Sequence, residues 1–500
     1  MSPRFELRYP LVGEDGTQNT SADSEFDPGL IVNSPKSTAH QNSSSMFRTA
    51  CCIVLLALSG IANAIPGAIT GTVPQKQPAG VPGGSSKGES SAELRRQSFD
   101  KVWSTVKDKH FDPHFGGVDW DRVREEYLPR LASIKSDAEF YDLLQQMLTE
   151  LHESHFAIIP PDALPDDDSG EPSSGTVGVD LRLIEGLAVV TRVQSGSPAA
   201  RAGLATGFVL EKIDGKPVDQ IVEAAARRGE TQGITRIRQT RAILARLNGD
   251  PGTTVLITYS DKPGISASAR VSREKLTGEM SPRMGNFPPQ YVEFDSRPVQ
   301  EGIGYIRFNI FVVSIMDRLR SAIRSDHDAA GIIIDLRGNP GGVGQMSCGL
   351  AGMLESVETS MGTMKMRAGF QNFAVFPQSG AYLGPVVVLI DELSASTSEI
   401  FASGMQELGR ATIVGKQSAG AALPSIFEKL PTGAIFQYAI GDFKTPKGTL
   451  IEGRGVTPDV EVSLSRETLL RGSDSQLEAA IKAISSSKRA QPARPGSQAK

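Results

Sequence analysis

The stretch IDELSASTSEIFASG, Ile390 to Gly404, crowds four serines and a threonine where the apolar run PVVVLI gives way to a helix. Ser396-Thr397-Ser398-Glu399 has the spacing of a capping box, in which a hydroxyl and a carboxylate satisfy the first free amides of a helix. The same position suits a second chemistry. A hydroxyl there lies beside free N–H groups and the positive end of the helix dipole, and both stabilise the oxyanion that develops in acyl transfer. DLRGNPGG, Asp335 to Gly342, ends another apolar run in a glycine-rich turn whose amides can approach a ligand closely. It lacks the phosphate-binding patterns G-x-x-x-x-G-K-[ST] and G-x-G-x-x-G, so it reads either as a plain turn or as an oxyanion-binding one.

Both turns need neighbouring strands to hold them. From Gly302 to Ser463 strand-like and helix-like runs alternate: IGYIRFNI, then SIMDRLRSAIRS with Ile315, Leu319 and Ile323 four apart, then GIIID and VVVLI. Unbroken apolar strands of this kind are buried on both faces, as in an α/β layer with helical crossovers. Upstream, Leu94, Phe99, Val102, Trp103 and Val106 share a helical face, and so do Trp120, Val123, Tyr127 and Leu131. SDAE at Ser136–Glu139 opens a third helix through Phe140, Leu144, Met147 and Leu151, which ends in LHESHFAII. Between these regions, TVGVDLRL, GLAVVTRV, FVLEKIDG and TTVLITYS are short strands, interrupted by GSPAARAGL and by one helical stretch, Gln220–Leu247. The expected parts are a helical unit over 93–160, a strand-rich module over 175–273, an α/β core over 274–465, and a C-terminal helix and disordered tail over 466–500.

A hydrophobic content of 39% and a net charge of −5 describe a soluble globular protein, and the lack of a basic stripe argues against a nucleic-acid partner. Met46–Ala64 has a positive start, an apolar core and an A-x-A end, the pattern of a secretory signal peptide. Translation is therefore expected to begin at Met46, residues 1–64 to be dispensable, and residues 65–92, rich in Gly, Pro and Ser, to form a flexible linker. Cys51 and Cys52 would leave with the signal, so Cys348 remains as a buried, inert thiol without a disulfide partner. The mature protein is expected to be exported, periplasmic or associated with the cell envelope, without stable membrane insertion. No Asp, Glu or Cys arrangement with zinc-like spacing accompanies His152 and His155, so neither metal nor other cofactor is expected.

GIIIDLRGNPGG, LIDELSASTSEIFASGMQELGRATIVGKQSAGAA and IEGRGVTPDVEV together resemble the C-terminal processing, or tail-specific, serine peptidases and their tricorn-type relatives. The resemblance runs from about Leu94 to Val462. It implies a ClpP/crotonase-like ββα core, an N-terminal helical unit, a PDZ-like module and a polypeptide substrate. It also implies that Ser396 is the nucleophile. In the tail-specific branch the base is a lysine; here Ala421, within SAGAA, stands in its place, which leaves only Lys416 or Lys444 to reach in. The tricorn-type branch implies instead His155 as general base, with Ser154 and Glu452 completing a tetrad, and Thr397 with Gly341 or Gly342 as oxyanion donors. A serine needs such a base, and neutral imidazole both accepts and returns the proton near pH 7. GSPAARAGL with IDGKPV resembles a PDZ module, in which Val177, Gly178 and Val179 would bind a peptide end by strand addition. The usual Gly-Asp after AGL is Gly207-Phe208 here, which leaves a lid or docking surface as the other reading of the module. Two further readings remain open at this stage: an inactive relative that binds peptides or apolar ligands, favoured by Ala421, and a crotonase-type acyl-CoA enzyme, which export disfavours. The oligomeric state is not legible.

Overall fold

Ser90 starts helix α1 (Ser91–Lys109) by accepting the Glu93 N–H on its hydroxyl. The computed structural model describes residues 90–161, 175–226, 230–275 and 278–490. The signal peptide, Cys51, Cys52, nearly all of the linker and the last ten residues lie outside them. Helices α2 (Trp120–Tyr127) and α3 (Asp137–Thr149) follow, the latter capped by Ser136, whose hydroxyl accepts the Glu139 N–H. Phe99, Val102, Trp120, Phe140 and Leu144 are buried together, but some of their partners come from far along the chain: Leu423, Leu430, Phe436 and Tyr438. Strand β1 (Ala157–Ile159) makes the same long connection by pairing antiparallel with residues 435–437. The helical unit is thus closed by a hairpin of the core.

The next region is a sheet of β2 (Val179–Ile184), β3 (Leu187–Val193), β4 (Val209–Ile213), β5 (Thr254–Lys262) and β6 (Ile265–Ser272), in that order, with β2 at one edge. The single helix expected over Gln220–Leu247 is two: Val218–Ala225, and α4 (Gln232–Leu247), which Thr231 starts afresh by accepting the Ile234 N–H. Ile243 and Leu247 of α4 enter the core of this sheet, but its first turns face elsewhere.

The α/β core is a six-stranded sheet. Its order is β7 (Phe294–Gln300), β8 (Ile303–Phe308), β9 (Gly331–Asp335), β10 (Val386–Ile390), β11 (Thr412–Gly415), then Val460–Glu461, with only β7 antiparallel to its neighbour. As the unbroken apolar pattern requires, both faces are covered. Ile332, Ile334, Val386, Val388 and Ile390 pack with Leu319 of α5 (Met316–Ser325), Leu350 of α6 (Gly344–Gly352) and Phe401 of α7 (Thr397–Glu407). Ile333, Val387, Leu389 and Val414 pack on the other face against Ala480 and Ile484 of α8 (Ser475–Ala490). Cys348 is buried as expected, and burial pushes its thiol up to about 11. In register, Asp335 lies beside Leu389, so β9 and β10 end together and their following turns emerge side by side. Such a juncture at the carboxyl ends of parallel strands is where α/β sheets bind ligands.

Candidate active site

Ser396 occupies the N-cap position of α7 with φ 55° and ψ −118°, a left-handed conformation that a side-chain-bearing residue adopts only when its surroundings impose it. Those surroundings are hydrogen bonds. The Ser396 N–H donates to Ala421 O (2.8 Å) and to Glu399 Oε2 (3.1 Å), while its carbonyl accepts the Glu399 and Ile400 amides at 2.8 and 3.0 Å. The Glu399-to-amide half of the capping box therefore forms, and it does so in a strained turn. Asn339 braces the turn from the neighbouring strand end: its carbonyl accepts the Ala395 N–H and the Ser398 hydroxyl, and its Nδ2 donates to Phe308 O.

Glu399 is fully buried and is the junction of the site. Its carboxylate also accepts the Ser418 hydroxyl (2.6 Å) and the amides of Gly420 (2.7 Å) and Ala421 (2.9 Å). Burial pushes its pKa up to about 7, against the downward pull of those donors. Ala421, the residue in the place of a lysine, thus contributes both backbone groups to the turn. Neither alternative lysine stands in: Lys416 pairs with Glu461 at 3.2 Å, and Lys444 is exposed.

The neighbouring residue, Ala422, leads to the second half of the site. Its N–H donates to Glu452 Oε2 at 2.8 Å, and Glu452 also accepts the Ser154 N–H (2.8 Å) and the Ser154 hydroxyl (2.9 Å). Ser154 Oγ lies 2.7 Å from His155 Nδ1. With Glu452 ionised, the Ser154 proton points to the carboxylate, so Nδ1 carries the imidazole proton and Nε2 keeps its lone pair. Burial, joined by the Arg241 charge, lowers the His155 pKa to about 4, which keeps the ring neutral at pH 7. Burial raises the Glu452 pKa, opposed by the Ser154 and Ala422 amides. Among the described residues, the Ser396 hydroxyl and the His155 ring do not hydrogen-bond to one another; the backbone at 421–422 links the two halves. Of the other described histidines, His114, His152 and His327 are exposed, and His110 is buried on Glu153 at 2.9 Å.

The glycine-rich turn meets the serine directly. At Gly341 (φ 99°) a Cβ would lie 2.7 Å from both Ser396 Cβ and the Thr397 nitrogen, so only glycine fits. The Gly341 N–H is donated to Asn339 Oδ1 at 2.9 Å. The Gly342 and Thr397 amides have no acceptor among the described residues, and the Thr397 hydroxyl donates to Gly342 O (2.9 Å), joining the two turns. Val177, Gly178 and Val179 are buried, and the Gly178 N–H is already donated to Thr176 Oγ1 at 3.1 Å.

Helix α4 has a part in the site that sequence reasoning missed. Ile234 and Ile237 pack on Ala395, Ala419 and Ala421. The only trace in the sequence is Gly233, whose lack of a side chain lets the helix touch the backbone of Ala419.

A strained serine at a strand-to-helix turn beside free amides, linked through the 421–422 backbone to a serine–histidine–glutamate chain, is an arrangement suited to serine hydrolysis. Residues 302–462 match peptidase family S41, residues 91–149 the tricorn protease C1 domain and residues 189–228 the PDZ domain. A carboxyl-terminal-processing protease from Picosynechococcus sp. is 27% identical over 369 residues, which is 72% of this chain and 81% of that protein. The putative tricorn protease homolog 2 of Streptomyces coelicolor is 25% identical over 378 residues, 73% of this chain and 30% of that protein. The photosystem II D1 C-terminal processing protease shares the fold with a TM-score of 0.51 at 23% identity, covering 76% of this chain and 98% of that one. Mature CPAF complexed with lactacystin does so with 0.55 at 14% identity, covering 79% and 99%. Together these matches support a serine peptidase of the C-terminal processing type with a mixed α/β architecture and a PDZ domain.

Proposed function

We propose that the protein is an exported endopeptidase that cleaves polypeptides through an acyl-enzyme on Ser396, with His155 as general base and acid. The observation that carries this reading is the chain from His155 Nδ1 through Ser154 to Glu452, whose carboxylate is anchored on the Ala422 amide beside the backbone that holds Ser396. In the first step His155 Nε2 takes the Ser396 proton as the hydroxyl oxygen attacks the scissile carbonyl carbon. The resulting oxyanion accepts the Gly342 and Thr397 amides. His155 then returns the proton to the departing amine, and a water deprotonated by the same ring hydrolyses the ester. Each amide donor of this type is worth about 2.7–4 kcal/mol in the transition state.

The first step needs Ser396 and His155 to meet; α4 packs on the residues around Ser396 and carries Arg241, whose charge acts on His155. The reading therefore includes a displacement of α4 when a polypeptide enters, with the PDZ domain presenting the substrate end by strand addition on β2. The signal-like Met46–Ala64 supports export.

A fluorophosphonate probe tests the assignment. Wild type is expected to be labelled at Ser396 and to cut unfolded casein. Ser396→Ala and His155→Ala are expected to lose both while melting close to wild type at about pH 8, above the range in which His155 titrates. Labelling retained in His155→Ala rules out the histidine as base.

A further inference from the structure

One guanidinium crosses from the PDZ sheet into the core beneath the active-site turns. Arg182 lies on β2 and is 8% exposed. Its Nε donates to Asp391 Oδ2 at 2.5 Å, and its Nη1 to Leu181 O at 2.8 Å. Asp391, 1% exposed, is the first residue after β10 and begins the turn that carries Ser396.

The other oxygen of Asp391 is spent on the two turns themselves. Oδ1 accepts the Gly338 N–H at 2.9 Å, from the glycine-rich turn, and the Leu393 N–H at 3.0 Å, from the nucleophile turn. The Asp391 N–H donates to Ser394 Oγ (2.9 Å), whose own proton goes to Leu336 O (2.8 Å), so a second bridge joins the same turns. Arg182 also touches the glycine-rich turn: at Gly338 (φ 74°) a Cβ would lie 2.6 Å from Nη2. The guanidinium thus occupies the space a side chain would need.

A buried carboxylate holds this geometry only while its charge is matched, because an unpaired one protonates or draws in water. Among the described residues Asp391 has Arg182 as its one ion-pair partner. Two residues earlier on β2, Asp180 pairs with Arg192 at 2.7 Å and with Arg307 of β8 at 3.1 Å. Side chains two apart share a strand face, so this face of β2 is fastened to the core at both points. The two fastenings differ in what lies beyond them. Asp180 leads to Arg307 and, through Arg192, to Glu293; Arg182 leads to the amides that set where the oxyanion donors stand relative to Ser396.

We propose that Arg182 is a positioning residue of the peptidase reaction: by pairing with Asp391 it fixes the nucleophile turn against the oxyanion turn, which makes the PDZ sheet part of the catalytic apparatus as well as a docking module. The proposal rests on the assignment of Ser396 as nucleophile.

The test uses the full mature chain and two readouts, the second-order rate of fluorophosphonate labelling at Ser396 and the kcat and KM for a peptide substrate. Arg182→Met is expected to lower the labelling rate and kcat about 100-fold with KM nearly unchanged, the loss that a misplacement of roughly 1 Å causes. Arg182→Lys keeps the charge without the planar fork and is expected to recover about ten-fold of that loss while folding normally. Arg192→Met loosens the second fastening alone and is expected to label and turn over as wild type does.

Should Arg182→Met fail to fold, Arg182→Lys decides. A folded Arg182→Lys that labels at the wild-type rate overturns the positioning role, and so does an equal loss in Arg192→Met, which would mean that docking in general matters. If wild type itself is neither labelled nor active, the nucleophile assignment falls and this inference with it. Labelling of wild type separates the two failures.

Discussion

A Cβ built on Gly233 would lie 1.8 Å from the carbonyl oxygen of Ala419, so α4 meets the 418–422 segment backbone against backbone. That segment holds the Ser396 N–H, and Ile234 and Ile237 extend the contact over Ala395 and Ala421. A larger residue at 233 cannot be accommodated without lifting the helix. Gly233→Val is expected to raise the fluorophosphonate labelling rate of Ser396 several-fold while lowering the melting temperature. An unchanged or slower rate in the folded variant would show that α4 does not restrict access.

In the proposed relay Glu452, when ionised, fixes which nitrogen of His155 is protonated, because it takes the Ser154 proton and so leaves Ser154 Oγ as the acceptor for Nδ1–H. Glu452→Gln places an amide donor among three donors and permits the wrong tautomer. Its kcat is expected to fall by about 10²- to 10⁴-fold, as with the orienting carboxylate of other triads, with KM little changed. Steady-state kinetics on a peptide substrate checks this; a loss below five-fold would remove Glu452 from the relay.

Gly341→Ala combines two penalties, a positive φ and a Cβ 2.7 Å from both Ser396 Cβ and the Thr397 nitrogen. The backbone strain alone is of order 1–3 kcal/mol. Because the intruding methyl group presses on the nucleophile turn, probe labelling is expected to be lost even at temperatures where circular dichroism reports a folded protein. A variant that keeps wild-type labelling contradicts the close approach.

Two buried groups tilt stability with pH in opposite directions. His155 is lowered from 6.5 to about 4, so the unfolded chain binds more protons in that window and stability rises as pH climbs through it. Glu399 is raised from 4.5 to about 7, so the folded chain binds more protons there and stability falls as pH climbs through it, by about 3 kcal/mol at most. In wild type the two slopes oppose each other between about 4.5 and 6.5. Glu399→Gln is expected to unmask the rise and His155→Ala the fall, read as melting temperature from pH 4 to 8. Parallel curves for all three proteins would refute the account.

Much of the framework was legible because it rests on local pattern. GIIID and VVVLI had to be strands covered on both faces, and the capping serine at 136 begins the helix its neighbours announce. The break between Ala225 and Gln232 was not legible, since the apolar spacing on both sides of it reads as one helix. The choice between Gly341 and Gly342 was not legible for a different reason. It depends on where the Asn339 side chain points, and a glycine-rich turn offers several amides that sequence cannot rank.

Taken alone, the sequence determined which residues can carry the chemistry and that Ser396 stands where a buried strand becomes a helix, because hydroxyl spacing and apolar period are properties of neighbours in the chain. Only the tertiary structure decided that Ser154 reaches Glu452 across 298 positions, that Arg182 reaches Asp391 across 209, and that α4 lies on the nucleophile turn. These contacts join single side chains on separate elements, so they leave no periodic trace in the sequence and arise only when the packed sheets bring the elements together.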